Sequence, residues 1–203
     1  MPYYVGDSLH AIDVASKMPI GHDKGKYTDT NLQVTVDGEV CLHWYTAAQN
    51  GYRYIVQEDG TGRRPMTKAE LKRPVSKWKL KDVKRWRRTA HYKKGDFEAE
   101  NRPYTYEEAV IHAKKVGVIP CFELKSQAFA SQPERAKRMK AIADKHGLTL
   151  YVMTLVTMKR WAGKMKAFHN AGVQTALLAH GAKKPATFNT YKKYITRVWG
   201  PWA

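Results

Sequence analysis

The order of elements after residue 105 constrains this chain most, because helical and strand patterns alternate there three times. Thr105 has the character of an N-cap for a helix that Gly117 ends. The further segments are a strand at 118–124, a helix from Pro133 to about 145, a strand at 148–155, a helix at 158–169 and a strand at 173–179. Such alternation is typical of parallel βα units, so it predicts an α/β barrel or a doubly wound sheet.

The first part of the chain predicts a short helix and a hairpin. Apolar positions on one face predict a helix over 9–18. Residues 28–36 alternate, and Asp37-Gly38 separates them from a second β-prone run at 39–43. With a stub at 3–5, the chain has roughly six strands, whereas a closed (β/α)₈ barrel takes about 250 residues. We therefore expect a TIM-barrel-like (β/α) fold that is incomplete or rearranged.

The predicted organisation is one barrel-like α/β domain over 1–182 followed by a basic, aromatic tail over 183–203. The tail carries apolar residues at helix-like spacing, namely Tyr191, Tyr194, Ile195, Val198 and Trp199. This spacing predicts a terminal helix that packs on the barrel. Trp199 and Trp202 are candidates to cover an open edge of the sheet.

The charge of the chain predicts an anionic partner. Thirty-six Lys and Arg against 18 Asp and Glu give a net charge of +18, which suits a phosphodiester substrate or a polyanion such as nucleic acid or a teichoic-type polymer. Residues 63–94 hold fourteen basic and two acidic residues, with Trp78 and Trp86 between them. Two interpretations remain open here: phosphate contacts with base stacking, or a solvated basic face above two buried tryptophans. No motif of a known nucleic-acid fold is present.

Composition also limits the setting of the protein. No run approaches the ~18 apolar residues that span a bilayer, and the N-terminal segment lacks the pattern of a signal peptide. The 2 cysteines cannot build a disulfide framework. We expect a cytoplasmic protein with no membrane span, in a bacterial or viral setting, and the sequence leaves its oligomeric state open.

Polar residues at the predicted strand ends form the candidate site, since ligands of α/β proteins bind at the carboxyl ends of the strands. They are Asp29, Asn31, His43, Glu123 and Lys125. Asp29 and Asn31 share one strand face, as do Glu123 and Lys125. Two carboxylates and an amide oxygen suit Mg²⁺ or Ca²⁺, and a histidine and a lysine suit proton transfer and charge stabilisation. A structural histidine and a surface ion pair are the alternatives that the spacing leaves open.

The stretch from Asp29 to His43 resembles the signature of the glycerophosphodiester phosphodiesterase family. In that family an acidic pair on one strand precedes a Thr-x-Asp-Gly turn, a short strand and a catalytic histidine, and this stretch has Asp29 and Asn31 at the pair, then the turn, the strand and His43. Further matches follow in the family's order at Gly60–Gly62, Thr67–Leu71, Pro103–Glu108 and Cys121–Lys125, and Gly6–Leu9 matches upstream. The matches cover residues 6–125.

The resemblance implies a (β/α)₈ barrel that cleaves glycerol phosphodiesters with a divalent metal ion. Asp29, Asn31 and Glu123 would be the ligands of Mg²⁺ or Ca²⁺, with Asn31 replacing the second acid of the family's pair. His43 would be one catalytic histidine, and Lys125 would be the catalytic cation on the phosphate side.

The chain departs from the family pattern at one essential point. The six residues before the matched helix start at Asp7 contain no histidine, so the family's His-Arg-Gly motif has no counterpart there. His22 lies in a Gly-His-Asp-Lys-Gly segment seven residues before Asp29 and is a candidate replacement. We predict that His22 and Lys24 bind substrate, with an exposed loop histidine as the alternative.

Two functions follow from these observations. The first is a metal-dependent phosphodiesterase-like hydrolase acting on glycerophosphodiesters or related phosphodiesters, and the retained Asp29, His43, Glu123 and Lys125 favour it. The second is an inactive relative that binds a polyanion, nucleic acid or a glycerol-phosphate polymer, through its basic surface. The missing His-Arg-Gly motif favours the second.

Overall fold

A parallel sheet flanked by helices organises the computed structural model, which describes residues 9–17, 27–88, 102–179 and 183–199. The strands are β1 (Tyr27–Val34), β2 (Glu39–Cys41), β3 (Tyr52–Val56), β4 (Arg63–Pro65), β5 (Trp86–Arg88), β6 (Ile119–Leu124), β7 (Tyr151–Leu155), β8 (Gln174–Leu178) and β9 (Arg197–Trp199). The helices are α1 (Leu9–Lys17), α2 (Lys68–Lys72), α3 (Leu80–Val83), α4 (Tyr106–Val116), α5 (Ala128–Ser131), α6 (Pro133–Lys145), α7 (Trp161–Asn170) and α8 (Phe188–Tyr191). Short 3₁₀ helices span Val75–Lys77 and Lys192–Tyr194.

The main sheet has the strand order β2-β1-β6-β7-β8-β9. All neighbouring pairs are parallel except β1 and β2, which form the antiparallel hairpin predicted from Asp37-Gly38. The predicted α/β class with a parallel, TIM-barrel-like sheet is confirmed. Across the described ranges the sheet stays open, with β2 and β9 as its two edges.

The main core lies between one face of this sheet and helices α1, α4, α6 and α7. Leu32 and Phe122 point from β1 and β6 toward Ile12, Met139 and Phe168, all fully buried. The opposite face, here called the uncovered face, carries polar residues of β1 and β6 beside a small buried cluster of Cys121, Met153 and Ala176.

Local sequence signals determine where the helices start and stop. The Thr105 hydroxyl accepts a hydrogen bond from the Glu108 N–H, and the Glu108 carboxylate accepts one from the Thr105 N–H, so the predicted cap of α4 is a capping box. Gly117 ends α4 in the left-handed region, with φ of 69°. These signals act over a single helical turn, so the sequence predicts them directly.

Residues 45–88, here called the basic unit, form a second small sheet with the strand order β4-β3-β5. Trp78 and Trp86 are buried in its separate core, together with Tyr52 and Ile55. Both tryptophans are therefore buried, as the interpretation of a solvated basic face above two buried tryptophans predicted. These strands were not predicted from the sequence, because runs of three to five residues containing arginine show no clear two-residue period.

The tail differs from its predicted form. A single terminal helix was expected, but only residues 188–194 are helical, and Arg197–Trp199 adds a parallel strand to β8. The free edge of β8 offers unpaired main-chain groups, and the Thr196 N–H donates to the Thr175 carbonyl at 2.9 Å. Hydrogen bonds to the main-chain groups at the edge of β8 outweigh the weak helical periodicity of the tail sequence. The domain boundary at 182 stays a prediction.

Several predictions fall on residues outside the described ranges. These are the strand stub at 3–5, His22, Lys24 and the covering role of Trp202. Among the helices that the structure describes, none combines the length and the apolar character needed to cross a bilayer.

Candidate functional site

The register between β1 and β6 brings the predicted metal ligands to one face of the sheet. Asn31 lies directly opposite Glu123, and Asp29 lies opposite Cys121 one step earlier on the same face. Leu32 and Phe122 alternate with them and point into the helix-covered core. Two carboxylates and an amide therefore line the face that the helices leave uncovered.

Lys125 follows the end of β6 and forms an ion pair with Glu123. The Lys125 ammonium lies 2.7 Å from a Glu123 carboxylate oxygen, and both side chains are at least 90% buried. The Lys125 N–H donates to the Leu32 carbonyl at 3.1 Å, which extends the strand ladder past the last residue of β6. The pair is therefore fixed by the backbone at the carboxyl end of the sheet.

The pKa of the Cys121 thiol reflects the burial and the charges on this face. Burial, together with the negative charges of Asp29 and Glu123, raises the pKa of its thiol to about 12. Its thiol packs with Met153 and Ala176 in a small apolar cluster of the uncovered face. Two carboxylates thus act on one point of the sheet, with Asp29 exposed and Glu123 buried.

The hairpin returns the chain to the level of Asn31 immediately before His43. The Leu42 N–H donates to the Asn31 carbonyl at 3.0 Å, and the Gln33 side-chain amide donates to the His43 carbonyl at 3.2 Å. The half-buried His43 ring packs edge-on against Trp44, with 4.4 Å between ring centroids. His43 therefore follows directly the residue that pairs with a predicted metal ligand.

The donor set fits a hard divalent cation, because Asp29, Asn31 and Glu123 all offer oxygen atoms. Within the described part of the chain, no group of three His, Cys, Asp or Glu residues comes together as a metal centre, and Asn31 supplies an amide opposite Glu123. The set thus carries two negative charges, and Lys125 neutralises part of them. The roles of all five predicted site residues stay predictions, as do those of His22 and Lys24.

Lys164 is a site-adjacent residue that the sequence analysis missed. It lies on α7, is fully buried, and its ammonium donates to the Leu124 carbonyl and approaches the Lys125 carbonyl at 3.4 Å. Burial is the main cause that lowers the pKa of Lys164 to about 8; the Glu123 charge opposes this change and the Lys125 charge adds to it. The signal was available, because a lysine three residues after Trp161 on the apolar face of a helix is unusual.

Comparison with known proteins adds evidence on the fold. Neither a protein-family profile nor a curated protein sequence matches the chain. The chain is similar to the crystal structure of a candidate glycerophosphoryl diester phosphodiesterase from Silicibacter pomeroyi DSS-3, with 13% identity and a TM-score of 0.54. That alignment covers 82% of this chain and 61% of the other, so this chain spans about three fifths of that protein.

A second similarity is to the glycerophosphodiester phosphodiesterase from Agrobacterium tumefaciens str. C58. The identity is 12% and the TM-score 0.40, over 95% of this chain and 88% of the other. A TM-score of 0.40 supports no conclusion, and at 13% identity the first similarity concerns the TIM-barrel-like fold alone.

Proposed function

We propose that this chain belongs to the glycerophosphodiester phosphodiesterase family and is a metal-dependent hydrolase of glycerophosphodiesters or related phosphodiesters. The observation that supports the proposal is the register of β1 and β6, with Asn31 opposite Glu123 and Asp29 on the same face. Asn31 and Glu123 lie toward the carboxyl end of the paired parallel segment, where TIM-barrel enzymes carry their active sites, and Asp29 lies two residues earlier in the first half of β1. The fold similarity to the Silicibacter pomeroyi protein agrees with this proposal.

The proposed metal ligands are Asp29, Asn31 and Glu123, holding Mg²⁺ or Ca²⁺. When bound, the cation acts as a Lewis acid that offsets the negative charge of the phosphodiester. The 2.7 Å ion pair with Lys125 keeps the Glu123 carboxylate oriented on the uncovered face. An amide in place of a third carboxylate leaves the site less negative, which reduces repulsion of the anionic substrate.

Charge stabilisation, proton transfer and substrate contact are proposed for the side chains named next. Lys125 stabilises negative charge on the phosphate, since its ammonium lies at the same strand end as the metal ligands. His43 transfers a proton to or from the attacking or leaving oxygen, and His22 and Lys24 contact the substrate. His43 is thus the one histidine given the proton transfer, and His22 is the candidate for a second catalytic histidine.

The decisive experiment is turnover of a panel of glycerophosphodiesters and an aryl phosphodiester in Mg²⁺, Ca²⁺ or EDTA. We expect turnover that EDTA abolishes and that Glu123→Gln removes, because the variant loses one of two ligand charges. Asn31→Asp should remain active and need less metal, since it restores a third negative charge.

Glu134→Gln is the matched control, because Glu134 is an exposed carboxylate on the first turn of α6. It should leave turnover unchanged. Folded protein without turnover in any metal, or turnover that survives both EDTA and Glu123→Gln, would contradict the proposal.

A further inference from the structure

The basic unit concentrates the charge of the protein. Residues 45–88 contain thirteen Lys and Arg against four Asp and Glu, a net charge of +9, which is half of the +18 in about a fifth of the chain. Nine of these thirteen Lys and Arg residues are exposed. Most of the positive charge of this unit therefore faces solvent and attracts anions.

One face of its small sheet combines an aromatic ring with arginines. Tyr54 lies in the central strand β3, and Arg87 lies directly opposite it on β5. Arg63 on β4 pairs with Val56, two residues from Tyr54 on the same face. Its guanidinium carbon lies 5.1 Å from the centre of the Tyr54 ring. Tyr54 therefore has an arginine on each neighbouring strand.

These arginines are held in position by their surroundings. Arg63 is exposed, and its cation–π contact with Tyr54 holds the guanidinium over the ring while its N–H groups remain able to bind an anion. Arg87 donates to the carbonyls of Lys84 at 2.9 Å and Trp86 at 2.8 Å. The opposite face of the sheet is occupied by the core around Trp86, whereas Tyr54 and Arg87 are half-buried and Arg63 is exposed on this face.

We propose that the face formed by Tyr54, Arg63 and Arg87 binds single-stranded nucleic acid. A base can stack on the plane of Tyr54 and Arg63, while Arg87 and the surrounding basic residues contact the phosphates. A glycerol-phosphate polymer would satisfy the charges but has no planar group to stack. The inference is independent of the proposed hydrolase activity, because none of these residues belongs to the candidate metal site.

Fluorescence anisotropy of a labelled single strand of about 12 nucleotides tests this inference on the full chain. EDTA is present throughout, and salt varies from about 50 to 300 mM. Tyr54→Leu should weaken binding roughly 10-fold through lost stacking, while Tyr54→Phe should bind like the natural protein. Arg63→Gln should lower the salt slope by about 0.7, the value for one phosphate contact on a single strand.

Lys137→Gln is the matched control, because it removes one exposed charge from α6 of the main body. It should leave the affinity and the slope unchanged. Inorganic polyphosphate should compete poorly, since it carries charge without bases. Equal competition by polyphosphate, tighter binding of a duplex, unchanged binding by folded Tyr54→Leu, or no binding at the lowest salt would each overturn the inference.

Discussion

Arg135 and Lys164 are both buried cations on helices that pack against the main sheet, yet their surroundings differ. Arg135 on α6 donates to the Glu39 carboxylate at 3.0 Å and to the Gly38 and Thr35 carbonyls at 3.1 Å. The Arg135 guanidinium thus ties the β1–β2 turn to α6 at these three points. Its charge is neutralised and its donors are used, as a stable buried pair requires.

Lys164 has no such compensation. Its ammonium contacts the carbonyls of Leu124 and Lys125 and the sulfur of Met158 at 3.7 Å, and the described residues place no carboxylate in hydrogen-bond contact with it. A buried charge of this kind costs stability. Arg135, whose charge is compensated, holds the hairpin, whereas Lys164, whose charge is not, lies beneath the candidate site. Titratable groups with shifted pKa values tend to cluster at functional sites.

Loss of the Arg135 clamp should give the largest effect. Arg135→Met should lower the free energy of unfolding by about 3 to 5 kcal/mol, because it leaves buried Glu39 and the turn carbonyls without their main donor. Chemical denaturation monitored by tryptophan fluorescence measures this change. Arg138 also bonds Glu39 but is 43% exposed, so Arg138→Met should cost less than about 1 kcal/mol. Equal losses in the two variants would contradict a clamp centred on Arg135.

The second largest effect should be a pH dependence of the unfolding free energy that comes from Lys164. Burial lowers the pKa of Lys164 to about 8 from 10.5, so between these values the unfolded chain binds more protons than the folded protein. Stability should therefore rise with pH across this window, by up to about 3 kcal/mol.

The Lys164→Met variant isolates that contribution. Unfolding free energies of both proteins are compared from about pH 7 to pH 10.5, and the variant should be the more stable at pH 7, with the difference shrinking as pH rises. A difference that stays constant with pH would mean that Lys164 is not destabilised by its charge.

The smallest effect should come from Gly38 in the clamped turn. A Cβ at Gly38 would lie 2.6 Å from Cδ2 of Leu80, a side chain that is partly exposed and can rotate away. Gly38→Ala should cost about 1 kcal/mol, and the cost should disappear when it is combined with Leu80→Ala. A double-mutant cycle of denaturation free energies measures the coupling. Additive losses would show that the contact with Leu80 is not the cause.

Much of the fold could be predicted because its signals are local. Thr105 and Gly117 bound α4, and Asp37-Gly38 turns the β1–β2 hairpin, as predicted. The strands at 197–199 and in the basic unit could not be predicted, because each is too short to show a period and forms only by pairing with a distant partner.

The candidate site divides in the same way. Two-residue spacing predicted that Asp29 and Asn31 share a face, and that Glu123 and Lys125 do. The direct pairing of Asn31 with Glu123 depends on the register of two strands nearly ninety residues apart in sequence. No local pattern encodes that register, and none indicates that Lys164 reaches the carbonyl of Leu124.

By itself, the sequence determined the parallel α/β class, the hairpin, the helix caps and which polar residues share a strand face. Each of these depends on periodicity or on bonds within a few residues of one another. Only the tertiary structure decided which faces meet, that the sheet is open between β2 and β9 across the described residues, and that Lys164 is buried. These outcomes depend on packing and on main-chain pairing between distant segments, whose free energies arise only when the segments meet.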